Sequence, residues 1–383
     1  MKWTSTRSDQ NWVLDNFLKL SENEDTLHPG ILAKRLERGY KYSDLQEVYN
    51  KIIGRRSYSK SWAKQGHKLK LLAEQATSPQ TRAEFYHRAA MCYGRSQHTI
   101  KGKDHPQKIE YYHQMRVCWK LFEENHKSIR TVEGPNHSYV VMEQKKDDAP
   151  VVVVIPGMDQ FKEEVLFPYN NPWFNRGFTV VVMEGPGHVS QLMKGNYIDV
   201  DNMSDAVAEV VSGLGLPGKA VSVVLFGMSF GTRWVIEAAA RIGRPKIAAC
   251  IGQMANVGSS KIIFEQAQPN FRRIFMEMAN IQDEDKFDKY CDKIDKQLIK
   301  RAKQIHFPYL MVAGEMDELC PPEQTIEFIR ENIPHGEVWM YEDCFHVMGE
   351  VCGNIYGPIA DWARHVVEGH WEPKEETIMW VIN

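Results

Sequence analysis

Three residues far apart in the chain have the types and settings for nucleophilic chemistry: Ser229, Asp317 and His346. Ser229 lies in Gly227-Met228-Ser229-Phe230-Gly231, after an apolar run over 220–226 and before the helix-forming Ile236-Glu237-Ala238-Ala239-Ala240. A serine on such a strand-to-helix turn is held in a strained backbone, with its hydroxyl pushed out of the sheet edge. Glycines flank it because backbone meets backbone there, where a Cβ would collide. The helix starting beside it points free N–H groups toward any oxyanion formed at the turn. A serine so placed needs a base, and the base needs an acid to orient it.

Order along the chain selects the other two. In sheets with such an elbow the sequence is serine, acid, histidine, each just after a strand. The apolar run 309–313 leads into Gly314-Glu315-Met316-Asp317-Glu318-Leu319-Cys320-Pro321, which places Asp317 in the expected turn, with Glu315 and Glu318 as competitors. The run 338–341 ends in Glu342-Asp343-Cys344-Phe345-His346. Of the 14 histidines, seven precede residue 128; His137, His188, His306 and His335 come too early, and His365 and His370 fall on or beyond the closing helix. His346 alone meets both order and position. Stabilising a tetrahedral oxyanion takes two backbone N–H donors. One is expected from Phe230, after the nucleophile. The other is expected from Pro156-Gly157-Met158-Asp159-Gln160, with Met158 N–H ahead of Asp159 N–H.

The elements that must hold these residues fall into two parts. Residues 1–127 read as an N-terminal helical domain, with helices over 11–20, 43–53, 59–76, 81–93 and 109–124. Residues 128–383 read as an α/β domain. Its strands are expected at 128–132, 139–142, 151–155, 178–183, 221–226, 247–251, 309–313 and 337–341. Helices at 199–212, 230–242, 322–332 and 356–368 alternate with them, and nearly all-apolar strands of this kind belong to a mostly parallel sheet covered on both faces. The alternation breaks at about 257–305, which looks wholly helical; an insertion there is expected to cap a site at the carboxyl edge of the sheet.

Composition narrows the partners. A hydrophobic fraction of 43% supports a sizeable core, and a net charge of -3 gives no reason to expect nucleic acid or an anionic membrane. No apolar run approaches the roughly 20 residues of a membrane helix, and Met1-Lys2-Trp3-Thr4-Ser5 continues into polar residues, so the cytoplasm is the expected location. The seven cysteines are scattered without a Cys-x-x-Cys pair and read as reduced thiols. Cys320 and Cys344 lie near the acid and the base, but neither sits on an elbow. No dinucleotide loop or metal-ligand cluster occurs, so no cofactor is implied.

With these residues in place, the chain resembles a group of α/β-hydrolases. The group includes the fermentation–respiration switch protein, the 2,6-dihydroxypseudooxynicotine hydrolase and fungal hydrolases that shorten polyketide chains. Its members carry an N-terminal helical domain and a Gly-Gly-x-(Asp/Glu)-x-x-Lys-Glu-Glu loop, matched here by Pro156-Gly157-Met158-Asp159-Gln160-Phe161-Lys162-Glu163-Glu164. The resemblance implies the α/β-hydrolase fold, the triad on Ser229, Asp317 and His346, a homodimer, and a small aromatic or polyketide-like substrate. Departures occur at Pro156, at Glu184-Gly185-Pro186-Gly187-His188, and at Thr232, Arg233 and Trp234.

Several relatives cleave a C–C bond beside a ketone, and there the leaving group departs as an enolate or aryl carbanion. A buried cation or proton donor would help it leave. His188 and Arg233 are candidates for that role and Asp159 for substrate contact; a structural salt bridge is the competing reading of Arg233. Lys162, Glu163 and Glu164 are expected to fix the oxyanion loop. An ester, thioester or amide is the alternative bond, and a non-catalytic binding protein on a hydrolase fold is the alternative of another class.

Overall fold

The computed structural model describes residues 11–20, 30–146, 148–214, 222–267, 269–374 and 377–382. The opening residues Met1–Ser5, positions 220 and 221 of the elbow strand, and the side chains of Trp12, Val13 and Phe17 lie outside that description.

The described residues before 128 form six helices: α1 (Asn11–Leu20), α2 (Ile31–Glu37), α3 (Tyr42–Tyr49), α4 (Arg55–Gln75), α5 (Pro79–Ser96) and α6 (Pro106–Glu123). Proline at the first position of α5 and α6 fits, because its missing N–H has no helical partner there. Helix α5 packs against both α4 and α6. Helix α2 was not expected; its seven residues follow the cap residue Gly30, which has a left-handed φ of 76°.

The described residues after 128 build one sheet. Its strands are β1 (Ile129–Glu133), β2 (Ser138–Met142), β3 (Val151–Ile155), β4 (Thr179–Glu184), β5 (Val223–Met228), β6 (Ile247–Gln253), β7 (Tyr309–Gly314), β8 (Gly336–Tyr341) and β9 (Ile378–Val381). They lie in the order β1-β2-β4-β3-β5-β6-β7-β8-β9, with β1 and β2 antiparallel and every pairing from β4 through β9 parallel. Between and beyond the strands run α7 (Lys162–Val165), α8 (Val189–Met193), α9 (Asn202–Gly213), α10 (Gly231–Ile242), α14 (Pro322–Asn332) and α15 (Cys352–Val367). The expected helical insertion is present as α11 (Ser260–Gln266), α12 (Pro269–Met278) and α13 (Glu284–Ala302), between β6 and β7.

Alternation along each strand feeds two cores. Val152, Val182 and Phe226 face a buried cluster that continues through Phe161 and Leu166 into Trp62, Ala89 and Trp119 of the N-terminal helices. Val153, Met183 and Leu225 face the opposite cluster, closed by α9, α10 and the aromatic residues of the insertion. The N-terminal helices therefore share a core with one face of the sheet.

A buried charge network ties those helices to the loop after β3. Lys162 lies 2.9 Å from Glu163 and 3.6 Å from Glu184, while Glu163 pairs with Arg116 of α6 at 3.0 Å. Glu164 lies 3.4 Å from Arg38 and 3.6 Å from Arg95, and accepts from Tyr40 Oη at 3.0 Å. Burial pushes the Glu164 carboxyl up, but Arg95, Arg38 and Arg35 together bring it below its usual 4.5. Because the folded pKa is the lower one, this stabilisation is present above about 4.5 and is lost as pH falls through the folded value. Glu164→Gln withdraws a carboxylate from buried cations and is expected to cost ~3–5 kcal/mol, with a flatter stability profile below pH 4.5. Urea unfolding across that range checks both; a loss under about 1 kcal/mol contradicts the network.

Candidate active site

The elbow after β5 explains its own glycines. Ser229 has φ of 53°, in the left-handed region that side chains other than glycine seldom occupy. A Cβ on Gly227 would lie 2.4 Å from Gly231 O, and one on Gly231 would lie 2.1 Å from Ile155 O. The turn can therefore fold only with both glycines, and it leaves Ser229 part-exposed at the carboxyl edge of the sheet while Met228 and Phe230 are buried.

Ser229 Oγ lies 2.9 Å from His346 Nε2, and His346 Nδ1 lies 2.9 Å from both oxygens of Asp317. Nδ1–H donates to the carboxylate, which leaves Nε2 to accept from the serine hydroxyl. Asp317 is itself anchored, accepting from Leu319 N and Cys320 N at 2.9 Å each. The competing acids have other partners: Glu318 accepts from His346 N and Glu315 from Asp343 N, so both hold the backbone of the histidine loop. Burial lowers the imidazole pKa, but Asp317 and Glu318 more than offset it and the net shift is above 6.5.

The oxyanion loop comes close to the nucleophile. A Cβ built on Gly157 would lie 3.2 Å from Ser229 Cβ. Gly157 N donates to Gln160 Oε1, whereas the N–H groups of Met158 and Phe230 donate to no other group among the described residues. Both remain available to a ligand oxygen.

The further site residues separate clearly. Arg233 is committed to structure: its guanidinium donates to Ser260 Oγ and Asp295 Oδ1 at 2.6 Å each, and so ties α10 to the insertion. His188 is fully buried, edge-on to Trp234 at 5.0 Å, and burial carries its pKa below 6.5 despite the nearby Glu184. Neither is placed as the expected cation. Asp159 lines a cleft between the end of α5 and α12, together with Met158, Phe161, Ile274 and Met278. The insertion reaches the elbow through Phe264 and Phe275, whose rings lie 5.4 and 4.7 Å from that of Phe230.

Two residues went unnoticed in the sequence. Asn256, just beyond β6, donates from Nδ2 to Ser229 Oγ at 2.9 Å. Lys34 of α2 is buried beside the histidine loop, where it donates to Val347 O at 2.8 Å. A loop asparagine and a lysine in a short helix give no periodic signal. Both become visible only when the strand ends are brought together.

All seven cysteines are free and buried. Burial pushes the Cys344 thiol up to about 12 and also raises Cys320, so neither is a ready nucleophile. Among the described residues, no cluster of metal-ligating side chains occurs and no helix is long and apolar enough to cross a membrane.

Comparison with solved structures places this architecture. The chain is similar to the 2,6-dihydroxy-pseudo-oxynicotine hydrolase, with TM-score 0.73 and 18% identity, over 90% of this chain and 98% of that one. It is also similar to the protein AbyA5, with TM-score 0.64 and 16% identity, over 86% and 94% of the two chains. The fold is accordingly the α/β-hydrolase fold with an N-terminal helical region. A scan against protein-family models found no match, and a sequence search of curated proteins found none either.

Proposed function

We propose that this protein is a serine hydrolase in which Ser229 is the nucleophile, His346 the general base and Asp317 its orienting acid. The observation that carries the reading is the unbroken relay of 2.9 Å contacts from Ser229 through His346 to Asp317. Its three members come from separate strand ends that no local structural need brings together. The Met158 and Phe230 N–H groups form the oxyanion hole, each worth ~3 kcal/mol in the transition state.

The bond is a C–C bond beside a ketone, as the resemblance to hydrolases of that class implies. Ser229 Oγ adds to the carbonyl carbon while its proton passes to His346 Nε2. The C–C bond then breaks, and its electron pair departs with the carbon that a second carbonyl conjugates, giving an enolate. His346 returns its proton to that carbon. Water adds to the acyl-enzyme as its proton passes to His346 Nε2, His346 returns that proton to Ser229 Oγ as the Oγ–acyl bond breaks, and a carboxylic acid leaves.

A paired assay tests the bond. Wild type and Ser229→Ala are offered a β-diketone and an aryl ester of matched size. Turnover of the diketone by wild type, lost in the variant, is expected. Rapid ester hydrolysis with no attack on any diketone would replace the C–C reading with an esterase.

A further inference from the structure

Enolate departure calls for a cation, and neither His188 nor Arg233 supplies one. The structure assigns that place to Lys34: we propose that its buried amino group binds an oxyanion of the substrate, and that the protein therefore selects acidic substrates. The inference rests on the hydrolase reading above and adds the substrate class to it.

The position of Lys34 is the first argument. Helix α2 packs on α15, and its cap residue Gly30 lies against Gly349 of the loop that follows His346. That packing drives the lysine inward until only 1% of it is exposed. Its Nζ donates to Val347 O at 2.8 Å and to Met254 Sδ at 3.2 Å. Val347 directly follows His346. Met254 directly follows Gln253, whose carbonyl accepts the Ser229 N–H at 2.8 Å. Lys34 also interacts electrostatically with His346 and with Asp159 of the oxyanion loop. Loops after two different strands (β6 and β8) thus meet at one amino group.

What surrounds it is the second argument. Among the described residues no carboxylate lies within ion-pair distance of Lys34; its hydrogen-bond partners are a carbonyl and a thioether. A buried ammonium loses hydration that those two neutral acceptors do not restore. Burial and the nearby Arg38 accordingly hold its pKa well below 10.5. An incoming oxyanion supplies the missing counter-charge.

Two sources can supply the oxyanion: a carboxylate already on the substrate, or the enolate that forms as the C–C bond breaks. Both are read by the same ammonium. Three probes separate them: 4-nitrophenyl butyrate as the neutral reference, mono-4-nitrophenyl succinate as the resident carboxylate, and a β-diketone as the developing enolate. Each is given to wild type, Lys34→Met and Lys34→Arg.

In Lys34→Met, kcat/KM for at least one acidic probe is expected to fall about 30-fold further than for butyrate, with Lys34→Arg recovering part of the difference. A selective loss on succinate assigns the resident carboxylate, and a selective loss on the diketone assigns the enolate. Equal losses on all three probes, or none on any, overturn the inference while leaving the hydrolase reading intact. Absence of turnover by wild type on every probe overturns both. The comparison is a ratio within one preparation, so partial misfolding of Lys34→Met cancels. Should that variant not fold, the wild-type preference for an acidic probe over butyrate decides, and its absence overturns the proposal.

Discussion

Ser229→Ala is expected to lower kcat by roughly 10⁶-fold, about 8 kcal/mol of transition-state stabilisation. The variant keeps the elbow, since alanine removes one oxygen and leaves φ and the flanking glycines unchanged. His346 and Asp317 stay paired, but the base then has no hydroxyl to deprotonate. Whatever turnover remains comes from the oxyanion hole and binding, with water as the attacking group. Pre-steady-state kinetics with a chromogenic ester reads the effect, because wild type should show a burst and the variant none. A loss below 100-fold would mean that another group performs the attack.

The second large effect belongs to Asp317→Asn, expected to lower kcat by about 10⁴-fold at neutral pH. An amide facing Nδ1 can donate to it and drive the ring proton to Nε2, the atom that must accept from Ser229. The pH profile makes the assignment specific. Asp317 raises His346 above 6.5, and the base works only when neutral, so the acidic limb of kcat/KM in wild type should lie above 6.5. Removing the carboxylate leaves burial and Lys34 lowering the imidazole, and the limb should move to lower pH. Glu318→Gln removes a carboxylate that accepts from the His346 N–H and acts on the imidazole only at a distance, and it should cost far less. A profile unchanged in Asp317→Asn contradicts the arrangement.

Much of this site could be read from the sequence because each part has a local physical cause. Gly227 and Gly231 announce the elbow, since a Cβ at either would strike backbone. Valine-rich strands covered on both faces announce a parallel sheet, and with the sheet comes the order serine, acid, histidine. What escaped has no local cause. Lys34 resembles any lysine of an amphipathic turn until α2 is packed on the loop after His346. Asn256 reaches Ser229 only because β6 ends beside the elbow. Strand β9 is short and half-exposed, with no clean alternation, and its place is set by pairing with β8. The salt bridge of Arg233 shows the converse, because a cation near the nucleophile can serve the scaffold alone.

The central claim is that Ser229 is an activated nucleophile in the native fold. Mass spectrometry of peptides from protein treated with a fluorophosphonate reads this directly. A single adduct on Ser229, formed quickly by wild type and lost in His346→Ala, is the expected result. An unmodified Ser229 in native protein, or an adduct on a different residue, would contradict the account.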